Sequence, residues 1–353
     1  MTTTLLDDRP RPAAPEVDGD ITRRRFVTGG VAAGLFGLAG CGRDRSRTAS
    51  PGGPSTWTFT DDRGITIELP TRPTRVAAYT AAGAAMVALG ARPVAIFGGA
   101  PLAGDPLLEG LDLRGVDSAG EVYGEVNVEK LAALGVDLVV TAYDPLQDGP
   151  VFGFVDGPVQ ANVERVAPIV AFNGIEAPGA VIGRFEDLAA ALDTDLSAPA
   201  VDADRQRYAQ ARESLRRAAA AKPGLVAVAV GVFDANAYFK RPDSSPATRQ
   251  FRELGLPLVE PDGAPSDINE DFSGYFSEEV SLEQLGKYPA DLVLLDRTDP
   301  AALAGIATWD ALPAVKAGQV ATYSALIHWT YERQAAELEA IAAAVRDADP
   351  DLV

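Results

Sequence analysis

Short apolar runs of strand length, separated by stretches of helical character, set the terms on which this chain can fold. Arg75–Tyr79, Val94–Phe97, Leu138–Thr141, Ile169–Phe172, Val226–Val230, Leu292–Leu295 and Val320–Thr322 read as strands, most of them apolar throughout. Such runs, without polar alternation, are what a parallel sheet covered on both faces requires. Between them lie helix signals such as Ala81–Leu89, ended by Gly90. Alternating strands and helices predict an α/β fold with helices on both sheet faces. Ahead of this pattern, Trp57–Thr60 and Ile65–Leu69 flank Asp61-Asp62-Arg63-Gly64, a hairpin signal with glycine where a positive φ is expected.

The pattern divides in two. Val126-Asn127-Val128-Glu129-Lys130-Leu131 is matched by Val280-Ser281-Leu282-Glu283-Gln284-Leu285, and Asp137 follows Glu129 at the spacing with which Asp291 follows Glu283. Each copy reads as a capped helix start, a turn and a strand. Two copies at one spacing indicate a repeated unit, one per lobe. Between the copies, Ala198–Ala221 has Pro199, Asp202 and Asp204 at its start, Arg216, Arg217 and Lys222 near its end, and Pro223-Gly224 beyond. Those charges suit the helix dipole. A helix of this length would span about 30 Å. The fold expected is therefore two Rossmann-like α/β lobes with mainly parallel central sheets, joined by a single long α-helix. The divisions are a signal at 1–40, a tether at 41–56, an N-terminal lobe at 57–178, a helical segment at 179–221 and a C-terminal lobe at 222–353.

The N-terminal region carries its own pattern. Met1–Asp20 is polar and rich in Pro and Asp, a composition that predicts disorder. Arg23 and Arg24 stand in Thr22-Arg23-Arg24-Arg25-Phe26-Val27, a short apolar run follows to Leu38, and Leu38-Ala39-Gly40-Cys41 closes it. Basic residues, a short apolar core and small residues before a cut describe a signal peptide. The paired arginines are similar to a twin-arginine export signal. The tetrad resembles the lipobox at which bacterial lipoproteins are cleaved and acylated. Cys41 is the only cysteine in the sequence, so no disulfide forms within the chain, and lipidation accounts for it. Gly42–Ser55 reads as a flexible tether. The expected location is the extracytoplasmic face of the cell membrane, held by lipid.

Other classes are disfavoured by composition. A net charge of −19 argues against nucleic acid, whose phosphates require a basic face. A site for bare zinc or manganese needs several His or Cys ligands, and the chain has one His, His328. Neither a Gly-x-Ser-x-Gly elbow nor a phosphate-binding glycine loop occurs, which disfavours an exported hydrolase and a nucleotide enzyme. No enzyme activity, metal site or resident cofactor is expected.

Several segments together resemble the substrate-binding proteins of ABC importers for iron-siderophores, haem and cobalamin. They are Trp57–Gly64, Pro73-Thr74-Arg75-Val76-Ala77, Leu89-Gly90-Ala91-Arg92-Pro93-Val94, the two Glu-bearing repeats, and Trp309–Val320. The resemblance covers nearly all of the chain after the tether. It implies a monomeric receptor whose ligand, a ferric siderophore or alternatively haem or cobalamin, lies in a cleft between lobes. It implies that Glu129 and Glu283, one per lobe, dock with arginines of the membrane permease. Ligand contacts are then expected on loops at the carboxyl ends of strands. On those loops stand Tyr79, Tyr143, Tyr238, Arg241, Arg297, Trp329 and Tyr331, with Tyr275 and Phe276 nearby. Aromatic and cationic side chains suit a bulky chelate with oxygen donors outside. A ferric chelate needs no metal ligand from the protein, whereas haem would take a tyrosine.

Overall fold

The computed structural model describes residues 56–145, 149–233, 235–243, 245–263, 277–325 and 328–353. Arg23, Arg24, Cys41, Tyr275 and Phe276 lie outside the described residues. Strands β1 (Trp57–Thr60) and β2 (Thr66–Leu69) pair antiparallel, and Gly64 in their turn has φ 76°. Then come β3 (Val76–Tyr79), α1 (Thr80–Ala88), β4 (Ala95–Phe97), β5 (Asp117–Gly120), α2 (Val128–Ala133), β6 (Leu138–Tyr143), α3 (Gly157–Glu164), β7 (Ile169–Asn173) and α4 (Pro178–Ala191). Helix α5 runs from Pro199 to Ala220. The second half has β8 (Ala227–Phe233), β9 (Asn236–Lys240), α6 (Pro246–Glu253), β10 (Ser277–Ser281), β11 (Leu292–Asp296), the short helices α7 (Pro300–Leu303), α8 (Ala307–Asp310) and α9 (Pro313–Lys316), β12 (Val320–Tyr323) and α10 (Tyr331–Asp347).

The two halves repeat one topology. The first sheet is ordered β5-β4-β3-β6-β7 and is parallel throughout; the second is ordered β10-β9-β8-β11-β12. Only β9 departs, running antiparallel to both β8 and β10 because it returns from β8 as a hairpin. Both faces of each sheet are buried. Val76, Ala78, Leu138 and Val140 face one core, while their neighbours Ala77 and Val139 face another. In the second sheet Ala227, Ala229 and Leu292 face one core and Val228, Val230 and Val293 the other. This is why the strands are apolar throughout rather than alternating.

The repeated aspartates hold the same place in each half. Asp137, just before β6, accepts the Thr74 and Arg75 N–H groups at 2.9 Å each. Asp291, just before β11, accepts those of Val226 at 2.9 Å and Leu352 at 3.0 Å. Each carboxylate thus ties its own strand to the start of the neighbouring strand. Asp291 is buried and Asp137 half-exposed. Asp291→Ala would strand two backbone donors, and a loss of about 2–4 kcal/mol is expected; Asp137→Ala should lose about 1. Chemical denaturation of the two variants measures the contrast.

The exposed edge of the first sheet is covered by the β1–β2 hairpin. Asp61 Oδ2 accepts the Ala171 N–H at 3.1 Å and Asp62 Oδ2 the Asn173 N–H at 2.9 Å. Arg184 bonds Asp62 at 2.6 Å and lies over the rings of Phe59 and Phe172 at 5.4 and 5.3 Å. An edge strand saturated in this way cannot template pairing with another chain.

Helix α5 crosses between the cores. Val201 near its start packs in the first, while Tyr208, Ala211, Leu215 and Ala218 pack in the second. Its 22 residues span about 33 Å. Helix α4, which precedes it, buries Val181, Ile182, Phe185 and Leu188 in the first core, so the segment 179–221 divides between a lobe helix and the crossing. A second tie was not legible in the sequence. Trp329, just before α10, inserts into the first core, whereas α10 itself buries Ala335, Leu338, Ile341 and Val345 in the second. Tyr331 touches both. Around this seam Tyr208 donates to Gln250 at 2.5 Å, Gln250 to Gln334 at 2.7 Å, and Gln334 to the His328 carbonyl at 3.0 Å.

Candidate functional site

In α/β sheets the carboxyl ends of strands are where loops gather to form a site. Tyr79 ends β3 there, half-buried, with ring centroids of Phe97, Tyr123 and Phe152 at 6.2, 6.4 and 6.5 Å. Burial, then the neighbouring Tyr123 and Asp105, push its hydroxyl far above the ordinary tyrosine range. It is therefore a neutral donor, not a phenolate. Gly153, at φ 90°, lets the chain pass over this group: a Cβ there would lie 2.7 Å from both the Tyr79 and Phe97 rings. Tyr123 remains 43% exposed beside Val122 at 54% and Val155 at 57%. These side chains form an aromatic shelf with an open apolar margin.

At the carboxyl ends of the second sheet stands Arg297, directly after β11. Its backbone is left-handed, φ 51°, and its Nε donates to Asp296 Oδ1 at 3.1 Å. The guanidinium lies 5.3 Å from the Phe233 ring, at the end of β8, and its side chain is 31% exposed. The aromatic face and the carboxylate hold a cation in place while leaving part of it open. The Asp296 behind it is fully buried and lies 3.7 Å from Lys240 Nζ.

The other expected contacts lie elsewhere. The Tyr143 hydroxyl donates to the Asp62 carbonyl at 3.0 Å, pinning the hairpin. Tyr238 sits mid-strand in β9, 8% exposed, its ring 5.8 Å from Phe233. Arg241 leaves the end of β9 directed away from the carboxyl end of β8, because that strand is antiparallel. Its guanidinium donates to the Pro261 carbonyl at 3.0 Å and to that of Gly263. Trp329 is 1% exposed and packs on Phe185 at 5.4 Å, so it is a core side chain and not a wall of an open cleft. Tyr331 lies between the lobes at the helical seam, 5.4 Å from Tyr208, its hydroxyl pushed up to about 12 by burial and by Glu186. His328 is pushed down to about 4 by burial and by Arg333, and stays neutral. No group of His, Cys, Asp and Glu among the described residues has metal-binding geometry.

Sequence reasoning missed Tyr123 and Phe152. Tyr123 follows β5, whose Asp-Ser-Ala-Gly sequence has no apolar run to mark it as a strand. Phe152 lies in a Gly- and Pro-rich stretch that signals only a loop.

Glu129 and Glu283 are both exposed, and they occupy equivalent places. Each follows the edge strand of its sheet, β5 or β10, and precedes β6 or β11. Glu129 is in the first turn of α2, where the Asn127 side chain accepts the Lys130 N–H at 2.8 Å; Glu283 is in the 3₁₀ turn Leu282–Gln284. A hollow adjoins each. One of about 310 Å³ is lined by Glu283, Tyr288, Leu312 and Pro313, and one of about 540 Å³ by Asn127 and Lys130, which flank Glu129.

No described helix is long and apolar enough to cross a membrane. No family model and no curated protein matches the chain. Solved structures do. DesE, a ferric-siderophore receptor protein from Streptomyces coelicolor, is 30% identical, with a TM-score of 0.71 over 83% of this chain and 99% of its own. FhuD from Vibrio cholerae, a siderophore-binding protein solved with Fe³⁺-Desferal, is 19% identical, with a TM-score of 0.56 over 78% and 99%. PiuA from Streptococcus pneumoniae, an iron uptake ABC transporter substrate-binding protein, is 18% identical, with a TM-score of 0.57 over 83% and 100%. The last two share the fold. The identity to DesE over almost its whole length goes further: this chain belongs to the periplasmic-binding family of ABC-importer substrate-binding proteins that includes the siderophore receptors, and it is a binding protein rather than an enzyme.

Proposed function

We propose that this protein captures a ferric siderophore outside the cytoplasmic membrane and delivers it to an ABC permease, acting as a monomer tethered by lipid on Cys41. The observation that carries the reading is the pairing of an aromatic shelf, Tyr79 with Phe97, Tyr123 and Phe152, with the partly open cation of Arg297 on the other sheet. An iron chelate is a bulky body with apolar spacers and anionic oxygens around the metal. Aromatic faces cover the spacers, and a guanidinium donates charge-assisted hydrogen bonds to the oxygens. Iron arrives already wrapped, so the protein supplies no ligand to it. Export by the twin-arginine signal at Arg23 and Arg24, and docking through Glu129 and Glu283, complete the proposal.

Trp57, Trp309 and Trp329 are all buried, so intrinsic fluorescence is a weak reporter of the site. Isothermal titration calorimetry with ferric hydroxamates, ferric catecholates, haem and cobalamin is the better test. Binding of an iron chelate is expected, weakened by Tyr123→Ala and by Arg297→Ala. Tight binding of haem or cobalamin with no response to any iron chelate would overturn the siderophore reading. In cells, Cys41→Ser should release the protein from the membrane fraction; retention there would remove the tether.

A further inference from the structure

Asp296 Oδ2, the Tyr323 hydroxyl and Glu337 Oε1 are buried without a hydrogen-bond partner among the described residues. They belong to one neighbourhood beneath Arg297. Asp296 and Tyr323 are register partners at the ends of β11 and β12. Glu337 reaches this place from α10, where its Oε2 accepts the Ser324 N–H at 2.9 Å. Asp296 Oδ1 accepts the next amide, that of Ala325, at 2.8 Å. Two buried carboxyl groups therefore hold successive amides of the chain leaving β12, and one of them also holds Arg297.

Ionised together, these carboxyl groups would bury two like charges and leave Glu337 Oε1 without a partner, whereas Asp296 Oδ2 has Lys240 Nζ at 3.7 Å. No described donor hydrogen-bonds Glu337 Oε1, and a proton on that oxygen removes its uncompensated charge. We propose that Glu337 is carried as the neutral acid, that its proton is shared with Asp296, and that this pair fixes Arg297 and the Ser324–Ala325 backbone at the carboxyl end of the second sheet. Burial and the charge of Asp296, opposed by the Ser324 amide, raise the Glu337 carboxyl from 4.5 to about 7. The charges around it are known from each side. β11 presents Asp296 and Arg297, β9 presents Lys240, and β12 the Tyr323 hydroxyl. Within α10, Arg333 pairs with Glu332 and Glu109. On α5, Arg205 pairs with Glu186 of α4, Arg207 with Glu339, and Arg212 bonds Tyr208. His328 precedes the helix.

The sign follows from linkage. A folded-state carboxyl value raised above the unfolded one gives stability that is full at low pH and is lost between 4.5 and about 7 as pH rises. His328 acts oppositely: kept neutral in the fold, it withdraws stability as pH falls from 6.5 towards about 4. The difference between the protein and its Glu337→Gln variant cancels the histidine. From about pH 5 to about pH 8 the folding equilibrium constant of the unmodified protein should fall, relative to the variant, on the order of a hundredfold.

Infrared spectroscopy of the unmodified protein should show a protonated-carboxyl stretch that titrates away near neutrality and is missing in Glu337→Gln. Amide exchange at Ser324 and Ala325 should accelerate across the same range relative to the variant. Absence of the band, or parallel pH dependence of the two proteins, overturns the shared proton; unchanged relative exchange overturns the role in fixing the backbone. The infrared titration stands by itself if the variant does not fold. An effect on ligand rests on the receptor reading: chelate affinity should fall as Glu337 ionises and should not do so in the variant. If no chelate binds at all, the receptor reading fails, while the infrared and exchange results still decide the pair.

Discussion

Replacing Glu129 and Glu283 together with alanine is expected to abolish chelate uptake by cells while the purified protein binds its ligand as before. Both carboxylates are exposed, and neither is one of the rings of the aromatic shelf or a partner of Arg297. Their contribution to the fold is small. A carboxylate in the first turn of a helix contributes about 0.3–1 kcal/mol, and Asn127 continues to cap α2 without Glu129. Their contribution to docking is a different matter. In the docking proposed above, two carboxylates in equivalent places on a repeated topology would form a two-point charge pattern. Removing one partner of an interfacial charge pair typically costs about 2–5 kcal/mol, because the partner's cation is left buried and unmatched. Loss of both should exceed what residual contact can offset, with each single variant intermediate. Uptake of labelled chelate, at matched amounts of membrane-associated receptor, measures it. Undiminished uptake by the double variant would remove docking from these residues.

Trp329→Ala is expected to destabilise the protein by about 3–5 kcal/mol, as large-to-small changes of buried aromatic residues do. The indole fills the first core against Phe185 from a segment that belongs to the second lobe. Trp329→Phe should be close to neutral. It keeps a ring against Phe185 and removes an indole N–H that has no partner among the described residues, a group whose burial itself costs about 1–3 kcal/mol. The two variants separate packing from ligand contact. If Trp329→Phe unfolds like the parent yet loses chelate binding, the side chain serves the ligand. If binding follows stability in both, it serves the core.

Much of the architecture was legible because it rests on local rules. The apolar strands, Gly64 in its turn and α5 with Pro199 and its terminal charges all stand where the residues place them. The repeat was legible too, but not its work. Spacing shows that Asp137 and Asp291 correspond; only the sheets show that each takes the amides beside the neighbouring strand. The site was less legible, since a position after a strand does not fix where a side chain ends. Arg241 was displaced from expectation by one reversal, the antiparallel β9, which no apolar run announces. Tyr143 has its hydroxyl taken by Asp62, far away in sequence. Trp329 follows a strand of the second sheet but is buried with the first, and nothing in its neighbours reveals that crossing.

On the docking proposed above, that crossing has a consequence for recognition by a permease. With α5 running from core to core and Trp329 seated as a second fastening, the two lobes are expected to behave like a caliper with locked jaws. The interval between Glu129 and Glu283 is then expected to change little when the proposed ligand binds. A partner gripping both carboxylates would then sense that a receptor is present, and little about whether it carries cargo. The distinction between full and empty would then fall to the exposed surface of the chelate itself, held as proposed beside Tyr123 and Arg297.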